Sequence, residues 1–300
     1  MDTGIIVRAI SGTYDVKIDR RPLDADSAGS GVVVCKPRGV FRKLGITPLV
    51  GDRVTISGTT IQEVLPRRNQ FIRPPVANAE VMVMVASESI PVTDTFVLDT
   101  LIAFAETNYA EPVIVINKTD IAPADELYRV YCSAGFAVVR ASVVTGRGVA
   151  ELSAALSGKI CAFAGDTGVG KSSIINAIAG LSGADEIKLS VGDVSSKLGR
   201  GRHTTRTTQL FELGGDTMLI DAAGFAAVEE IIIPFDGLEN AFREIAPYSG
   251  ACRFADCRHL KEPDCAVREA VSSGAIAKSR YASYVRLMEL ALDREANKWK

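Results

Sequence analysis

Gly165-Asp166-Thr167-Gly168-Val169-Gly170-Lys171-Ser172 is a run whose residue types and spacing suit the capture of a polyphosphate. Its glycines let the backbone curl until successive N–H groups and the start of the following helix face the α- and β-phosphates. Lys171 reaches the β- and γ-phosphates, Ser172 ligates Mg²⁺, and Ser173 carries the run into the helix. Asn117-Lys118-Thr119-Asp120 supplies a second chemistry. A carboxylate at Asp120 accepts hydrogen bonds from guanine N1–H and the exocyclic amine, whereas adenine would leave that charge unpaired; a site built on such bonds discriminates by roughly 10⁴–10⁵. Ser142-Val143-Val144-Thr145-Gly146 can add a backbone N–H near the guanine oxygen. The ligand these residues describe is GTP or GDP with Mg²⁺.

Asp221-Ala222-Ala223-Gly224 reads as the γ-phosphate end of the same site: Asp221 would hold Mg²⁺ through water and the Gly224 amide would meet the γ-phosphate. The polar, glycine-bearing stretch 190–208 reads as a loop ordered by Mg²⁺ and the γ-phosphate. Its Gly201-Arg202-His203-Thr204-Thr205 core supplies hydroxyls; Thr204 or Thr205 completes the metal shell, with Thr205 favoured. Phe225 follows Gly224, where Ras-like GTPases carry the glutamine that orients the attacking water. The chain has two histidines, one of them among its cysteines, which leaves His203 as the candidate catalytic residue; the alternative is that His203 contacts a partner.

Cys252, Cys257, His259 and Cys265 form C-x4-C-x-H-x5-C, three thiolates and one imidazole. That donor set suits a closed tetrahedral Zn²⁺ with no open position, one structural ion per chain; the alternative is a group of buried, unliganded thiols. Six cysteines in 300 residues are too few for a disulfide scaffold, and Cys35, Cys132 and Cys161 fall in or near apolar segments as ordinary core residues.

Positioning these groups takes regular elements. The phosphate run lies between an apolar segment at 160–164 and a helical pattern from 171, and Asn117 follows directly on the apolar 113–116, so both belong at the carboxyl ends of strands. Strand patterns at 81–86, 113–116, 137–140, 160–164, 209–213 and 218–220 alternate with amphipathic helices near 94–107, 123–133, 148–157 and 171–180, which predicts a mostly parallel α/β sheet. Upstream, five short strands near 5–9, 14–18, 32–35, 54–56 and 61–65 predict a small barrel, OB-fold or SH3-like. Pro74-Pro75 reads as a linker. From 231 the chain turns helical around the cysteine cluster, and Tyr281, Tyr284, Val285, Met288 and Leu292 form a core stripe at helical spacing. The domain reading is a barrel over 1–73, an α/β unit over 74–230 and a helical, metal-binding region over 231–300.

Hydrophobic residues make up 47% of the chain and charged residues 23%, which excludes disorder, collagen and coiled coil as whole-chain descriptions. The longest apolar run, 81–86, is far too short to span a bilayer, and the N-terminus lacks a secretory pattern. The expectation is a cytoplasmic monomer with no membrane contact. The net charge of −2 conceals an asymmetry: residues 1–73 carry 12 Lys/Arg against 7 Asp/Glu, 74–230 carry 11 against 19, and 231–300 carry 11 against 10. Residues 36–43 place four cations around Phe41, and 67–73 surround Phe71 with arginine; cation plus aromatic suits RNA phosphates and bases. The plainer alternative is a solvated loop whose phenylalanine packs inward.

The order of the motifs along the chain is 117, 142, 165, 204, 221, whereas ordinary GTPases begin with the phosphate loop and end with the guanine reader; the α/β unit is circularly permuted. In its motifs the chain resembles the ribosome small-subunit-dependent GTPase A family (RsgA). The residues carrying the likeness are 39–54 with its Pro48-Leu49-Val50-Gly51-Asp52-Arg53-Val54 run, 117–120, 165–173, 201–205, 221–225 and the cysteine segment 252–267. The resemblance implies an OB-fold, a permuted GTPase domain, a zinc-binding C-terminal domain, GTP hydrolysis stimulated by the 30S subunit during its late assembly, and contact with 16S rRNA. This chain departs from the family pattern at Ala222-Ala223, where threonine or serine then proline is usual, and at Val143, where alanine is usual. Those departures, with Phe225, motivate a rival reading: a non-catalytic scaffold that holds GTP and binds RNA. A third reading is a switch for a protein partner.

Overall fold

The computed structural model describes residues 1–19, 31–72, 74–181, 183, 208–214, 216–221 and 231–297. Period-two alternation in the first 64 residues produces β1 (Asp2–Ile10), β2 (Thr13–Ile18), β3 (Val32–Pro37), β4 (Arg53–Ser57) and β5 (Thr60–Val64), with a short helix α1 (Val40–Lys43) between β3 and β4. β1 pairs with β2 and β4, β2 with β3, and β5 with both β3 and β4, so every strand has two neighbours and the barrel closes. The order 1-2-3-5-4, with β3 and β5 parallel, is OB-like and decides between the two barrels that strand spacing alone left open. Ile6, Val16, Cys35, Val54, Ile56 and Ile61 fill its interior.

Two features of the barrel differ from the surface reading of its cationic clusters. Phe41 is 5% exposed and Phe71 3%: both phenylalanines point inward, Phe71 against Phe104 with ring centroids 5.5 Å apart. Apolar area is scarce in so small a core, and burying a phenylalanine there is worth about 2–3 kcal/mol. Arg67 is likewise committed to structure. Its guanidinium makes a bidentate pair with the fully buried Asp52 (Nε–Oδ1 and Nη2–Oδ2, both 2.7 Å), while Asp52 also accepts from the Leu49 N–H. The Pro48–Val54 run is therefore a joint that ties β4 to the chain leaving β5. Pro74 and Pro75 lie in the turn between β6 (Gln70–Phe71) and β7 (Val76–Ala77), a hairpin whose Val76 is fully buried.

Beyond the hairpin come β8 (Val81–Ala86), α2 (Thr95–Thr107), β9 (Glu111–Ile116), α3 (Asp125–Ser133), β10 (Ala137–Arg140), α4 (Val149–Leu156), β11 (Ile160–Ala164), α5 (Lys171–Leu181), β12 (Gln209–Gly214) and β13 (Thr217–Asp221). The sheet order is β10-β9-β8-β11-β13-β12, parallel except for β12. The near-continuous apolar runs of β8, β9 and β11 are what a sheet covered on both faces requires. β12 also meets β1, through Arg8 opposite Gln209, so the barrel extends the edge of this sheet, and Lys17 pairs with Glu212 across the seam at 2.6 Å.

The C-terminal region contains α6 (Ala246–Ser249), α7 (Ala266–Ser272) and α8 (Lys278–Asn297). Tyr284 and Met288 are buried and Tyr281, Val285 and Leu292 half-buried in one core with Phe242, Val267 and Ala103 of α2, as their helical spacing predicts. The region is fastened to the α/β unit by a buried charge cluster. Arg280 on α8, 1% exposed, donates to Asp99 on α2 and to Glu244, and Asp99 also accepts from the Tyr131 hydroxyl of α3. Arg243 adds a second clamp onto Glu106 and Glu111. Sequence patterning does not reveal these pairs, because a charged residue in a helix reads as solvent-facing until its partner is known.

Candidate nucleotide site and metal centre

The phosphate loop springs from the carboxyl end of β11, at the centre of the sheet, and runs into α5. Its conformation demands glycine at two close approaches. Gly165 has φ +132°, and a Cβ there would lie 2.3 Å from the Val85 carbonyl oxygen; Gly170 has φ +101°, and a Cβ would lie 2.3 Å from Asn117 Nδ2. The second approach links residues 52 apart in the chain: Asn117 Nδ2 donates to the Val169 carbonyl at 2.9 Å. The 117–120 segment is thereby fastened to the glycine-rich loop, and among the described residues Asn117 Oδ1 is a buried acceptor without a hydrogen-bond partner.

Lys171 is 8% exposed, and its ammonium donates to the Gly165 and Asp166 carbonyls at 2.7 Å, which holds it across the mouth of the loop. Burial lowers its pKa below the ordinary lysine range, with Asp166 pulling the other way; a polyphosphate in the loop supplies the charge that stabilises the ammonium. Ser172, also buried, is the second residue of α5. Thr167 and Gly168 are exposed at the loop tip, and Ser173 is half-buried one residue into the helix.

Asp120 is exposed at the end of the motif after β9, oriented by the Ser142 hydroxyl, which donates to its Oδ1 at 2.6 Å. Ser142 itself is fully buried. Its N–H is spent on the Arg147 carbonyl and that of Thr145 on the Ser142 hydroxyl, so Val143 and Val144 carry the backbone N–H groups this turn can offer a base. The Val143 side chain packs against the core beneath the sheet. Thr119 donates to the Ala141 carbonyl at 3.0 Å, and Lys118, in a left-handed conformation (φ +62°), reaches the Ile90 carbonyl at 2.7 Å. Asp221 closes β13 beside β11, and so its backbone lies at the same sheet end as the phosphate loop. His203, Thr204, Thr205 and Gly224 lie outside the described residues.

In the C-terminal region the structure brings Cys252, Cys257, His259 and Cys265 together, their ligand atoms all within 4.8 Å of one another. His259 Nδ1 is 3.4 Å from each of the three sulfurs, and the Cys252 and Cys265 sulfurs are 3.8 Å apart. A tetrahedral ion with bonds of about 2.3 Å to sulfur and about 2.0 Å to nitrogen has edges of about 3.8 and 3.5 Å, so the residues fit a four-coordinate metal. His259 is fully buried at φ +59°, and its Nε2 faces Glu239 Oε2 at 3.3 Å, a carboxylate that fixes the ring so that Nδ1 is the ligand. Glu239, on a 3-10 turn twenty residues upstream, had no signal in the cysteine spacing. Burial and neighbouring sulfurs raise the Cys257 and Cys265 thiols above the ordinary cysteine value, and a bound cation would favour their ionised forms.

Against known proteins, the family model described as RsgA GTPase matches residues 64–230, and that described as RsgA N-terminal domain matches 3–63. The chain belongs to the RsgA GTPase family. A protein of Caldanaerobacter subterraneus subsp. tengcongensis named small ribosomal subunit biogenesis GTPase RsgA is 43% identical, over 99% of this chain and 98% of the relative. Its namesake in Geobacillus sp. (strain WCH70) is 39% identical over 98% and 99%. Two solved RsgA-like structures share the fold: YjeQ from Thermotoga maritima (TM-score 0.80, 35% identity, 97% of this chain and 98% of that one) and YloQ, described as a circularly permuted GTPase (TM-score 0.75, 30% identity, 98% and 96%). The RsgA resemblance in the motifs, the permuted order and the OB-like barrel are borne out. Among the described residues no helix is long and apolar enough to cross a membrane.

Proposed function

We propose that this chain hydrolyses GTP to GDP and phosphate and couples that reaction to late assembly of the 30S ribosomal subunit, binding 16S rRNA in the cytoplasm. The observation that carries the reading is the fastening of the guanine reader to the phosphate loop through Asn117 and Val169, with Asp120 held by Ser142. One bound nucleotide is then gripped at its base and its phosphates at once. Asp120 selects guanine, the loop amides at 165–170 bind the α- and β-phosphates, and Lys171 moves from the loop carbonyls to the β- and γ-phosphates. Ser172, Thr205 and Asp221 are the residues to hold Mg²⁺, which neutralises charge on the β- and γ-oxygens when bound. Gly224 meets the γ-phosphate, and His203 orients the attacking water. The four-coordinate site takes Zn²⁺, because three thiolates and an imidazole in a closed tetrahedron match that ion's preferences.

Single-turnover hydrolysis with and without 30S subunits tests the reading. Stimulation of the wild type and its loss in His203→Ala are expected; absence of stimulation would leave the GTP-holding scaffold. Asp120→Ala should abolish the preference for GTP over ATP in a competition titration, and a wild type that binds both equally would overturn the assignment of Asp120.

A further inference from the structure

The sheet order places β8 between β9 and β11, so the loop leaving its carboxyl end stands between the 117–120 motif and the phosphate loop. Residues 87–93 form that loop, and its two ends are pinned together. The Thr93 N–H donates to the Ser87 carbonyl at 2.9 Å, and the Ser87 N–H donates to the Thr93 hydroxyl at 2.8 Å. Glu88 ties the loop sideways to α3, its carboxylate accepting from the Leu127 N–H at 2.9 Å. The crown of the loop touches both motifs. The Ile90 carbonyl accepts from the Lys118 ammonium at 2.7 Å, and Pro91 lies so near the phosphate loop that a Cβ on Gly168 would be 3.3 Å from its Cγ. On either side of Pro91, Ile90 is 88% exposed and Val92 66%.

We propose that Ile90 and Val92 are nucleotide-positioning residues, an aliphatic wall against the ribose of bound GTP or GDP. The proposal rests on the reading above that the chain binds guanine nucleotides, and it supplies the contact for the part of the ligand that neither motif takes. A nucleotide gripped at its base by 117–120 and at its phosphates by 165–172 carries its sugar across the space between them. The loop that reaches the first motif through Ile90 and the second through Pro91 is the one the sheet sets beside that space. Aliphatic side chains suit the carbon face of a ribose and leave its hydroxyls to water. Because the loop is already pinned at Ser87, Thr93 and Glu88, little ordering remains to be done when the sugar arrives.

A single exposed aliphatic residue needs no explanation. Ile121 and Val144 are also exposed, on the loops after β9 and β10, one and two strands further from the phosphate loop than β8. A broad apolar partner would use these residues together with Ile90, whereas a ribose is too small to reach across three loops. Ile121 is therefore the control that separates the two occupants.

The test uses the full-length, metal-loaded protein and measures GDP and pyrophosphate affinity by calorimetry. Ile90→Ala should weaken GDP by roughly 3- to 20-fold, with the larger loss when it is combined with Val92→Ala. Pyrophosphate affinity should stay within about twofold of the wild type in both, as should GDP affinity in Ile121→Ala. The thiol introduced by Ile90→Cys gives a readout that does not depend on affinity. Its alkylation, followed by mass spectrometry of the peptide so that the exposed Cys132 does not interfere, should be slowed by saturating GDP. Pyrophosphate, at a concentration that displaces bound GDP, should leave it unprotected. Wild-type GDP affinity in Ile90→Ala, or a thiol that GDP does not protect, would overturn the inference alone. An equal loss of pyrophosphate affinity or protection by pyrophosphate would also overturn it, since the loop would then serve the phosphates. Equal weakening of GDP by Ile121→Ala would replace the ribose wall with a general apolar rim. A wild type that binds no GDP would overturn the nucleotide reading and this inference together.

Discussion

The loop of the barrel at 36–43 and the metal-held loop at 252–257 are both short, and each combines cations with a single phenylalanine, yet they spend that ring oppositely. Phe41 is buried in the core that the five-stranded barrel shares with the neighbouring α/β unit. Phe254, 42% exposed, faces outward from a loop whose ends carry Cys252 and Cys257, both packed against the core of the C-terminal region. The charge of a loop does not distinguish the two cases; what organises the loop does.

The largest test of that contrast removes the ion's ligand. Cys257→Ser should lose the metal and the order of residues 250–265, since a structural ion of this type contributes on the order of 10 kcal/mol. Hydrogen exchange should show those amides unprotected while β1–β5 keep their protection. Retained protection without metal would mean that the loop has a core of its own. An intermediate effect comes from making the same substitution in both loops. Phe41→Ala should destabilise the chain by about 3–5 kcal/mol, as expected for an aromatic removed from a core, whereas Phe254→Ala should fall within about 0.5 kcal/mol of the wild type in urea unfolding. Equal losses would erase the distinction. The smallest stability effect, again within about 0.5 kcal/mol, should follow Arg38→Glu with Arg42→Glu, two exposed residues whose role is electrostatic. Their signature is a lower salt slope of subunit binding, by about 0.7–0.9 for each phosphate no longer neutralised. An unchanged slope would show these cations to be surface charge alone.

Much of the nucleotide site was legible because its parts are contiguous. The phosphate loop needs its glycines and Lys171 within eight residues, and β8, β10 and β11 run between the residues that hydropathy alone marks out. The link from Ser142 to Asp120 was not legible: the segment after β10 read only as a source of a backbone N–H, and the structure also has its serine hydroxyl hold the carboxylate. Arg67 read as part of an RNA-contacting cluster and is a half-buried strut for the buried Asp52. A guanidinium satisfied by a distant carboxylate and one facing solvent have the same local sequence. Pro74-Pro75 read as a linker for a similar reason. Nothing local announces that the flanking residues pair as β6 and β7 and place Phe71 against Phe104 of α2.

By itself the sequence marked the segments that could do chemistry: a glycine-rich loop at 165–172, the 117–120 motif, a four-residue cysteine and histidine group and a permuted order of GTPase motifs. Each depends on residue types at short spacing, where backbone geometry leaves few alternatives. Tertiary structure alone decided which charges and rings are available to a partner. Burial belongs to pairs of segments that meet: Asp99 on α2 and Arg280 on α8 are 181 residues apart and satisfy each other only because two helices pack. The same physics sent Phe41 inside and left Phe254 outside, since each ring went where the free energy of its own region had room for it.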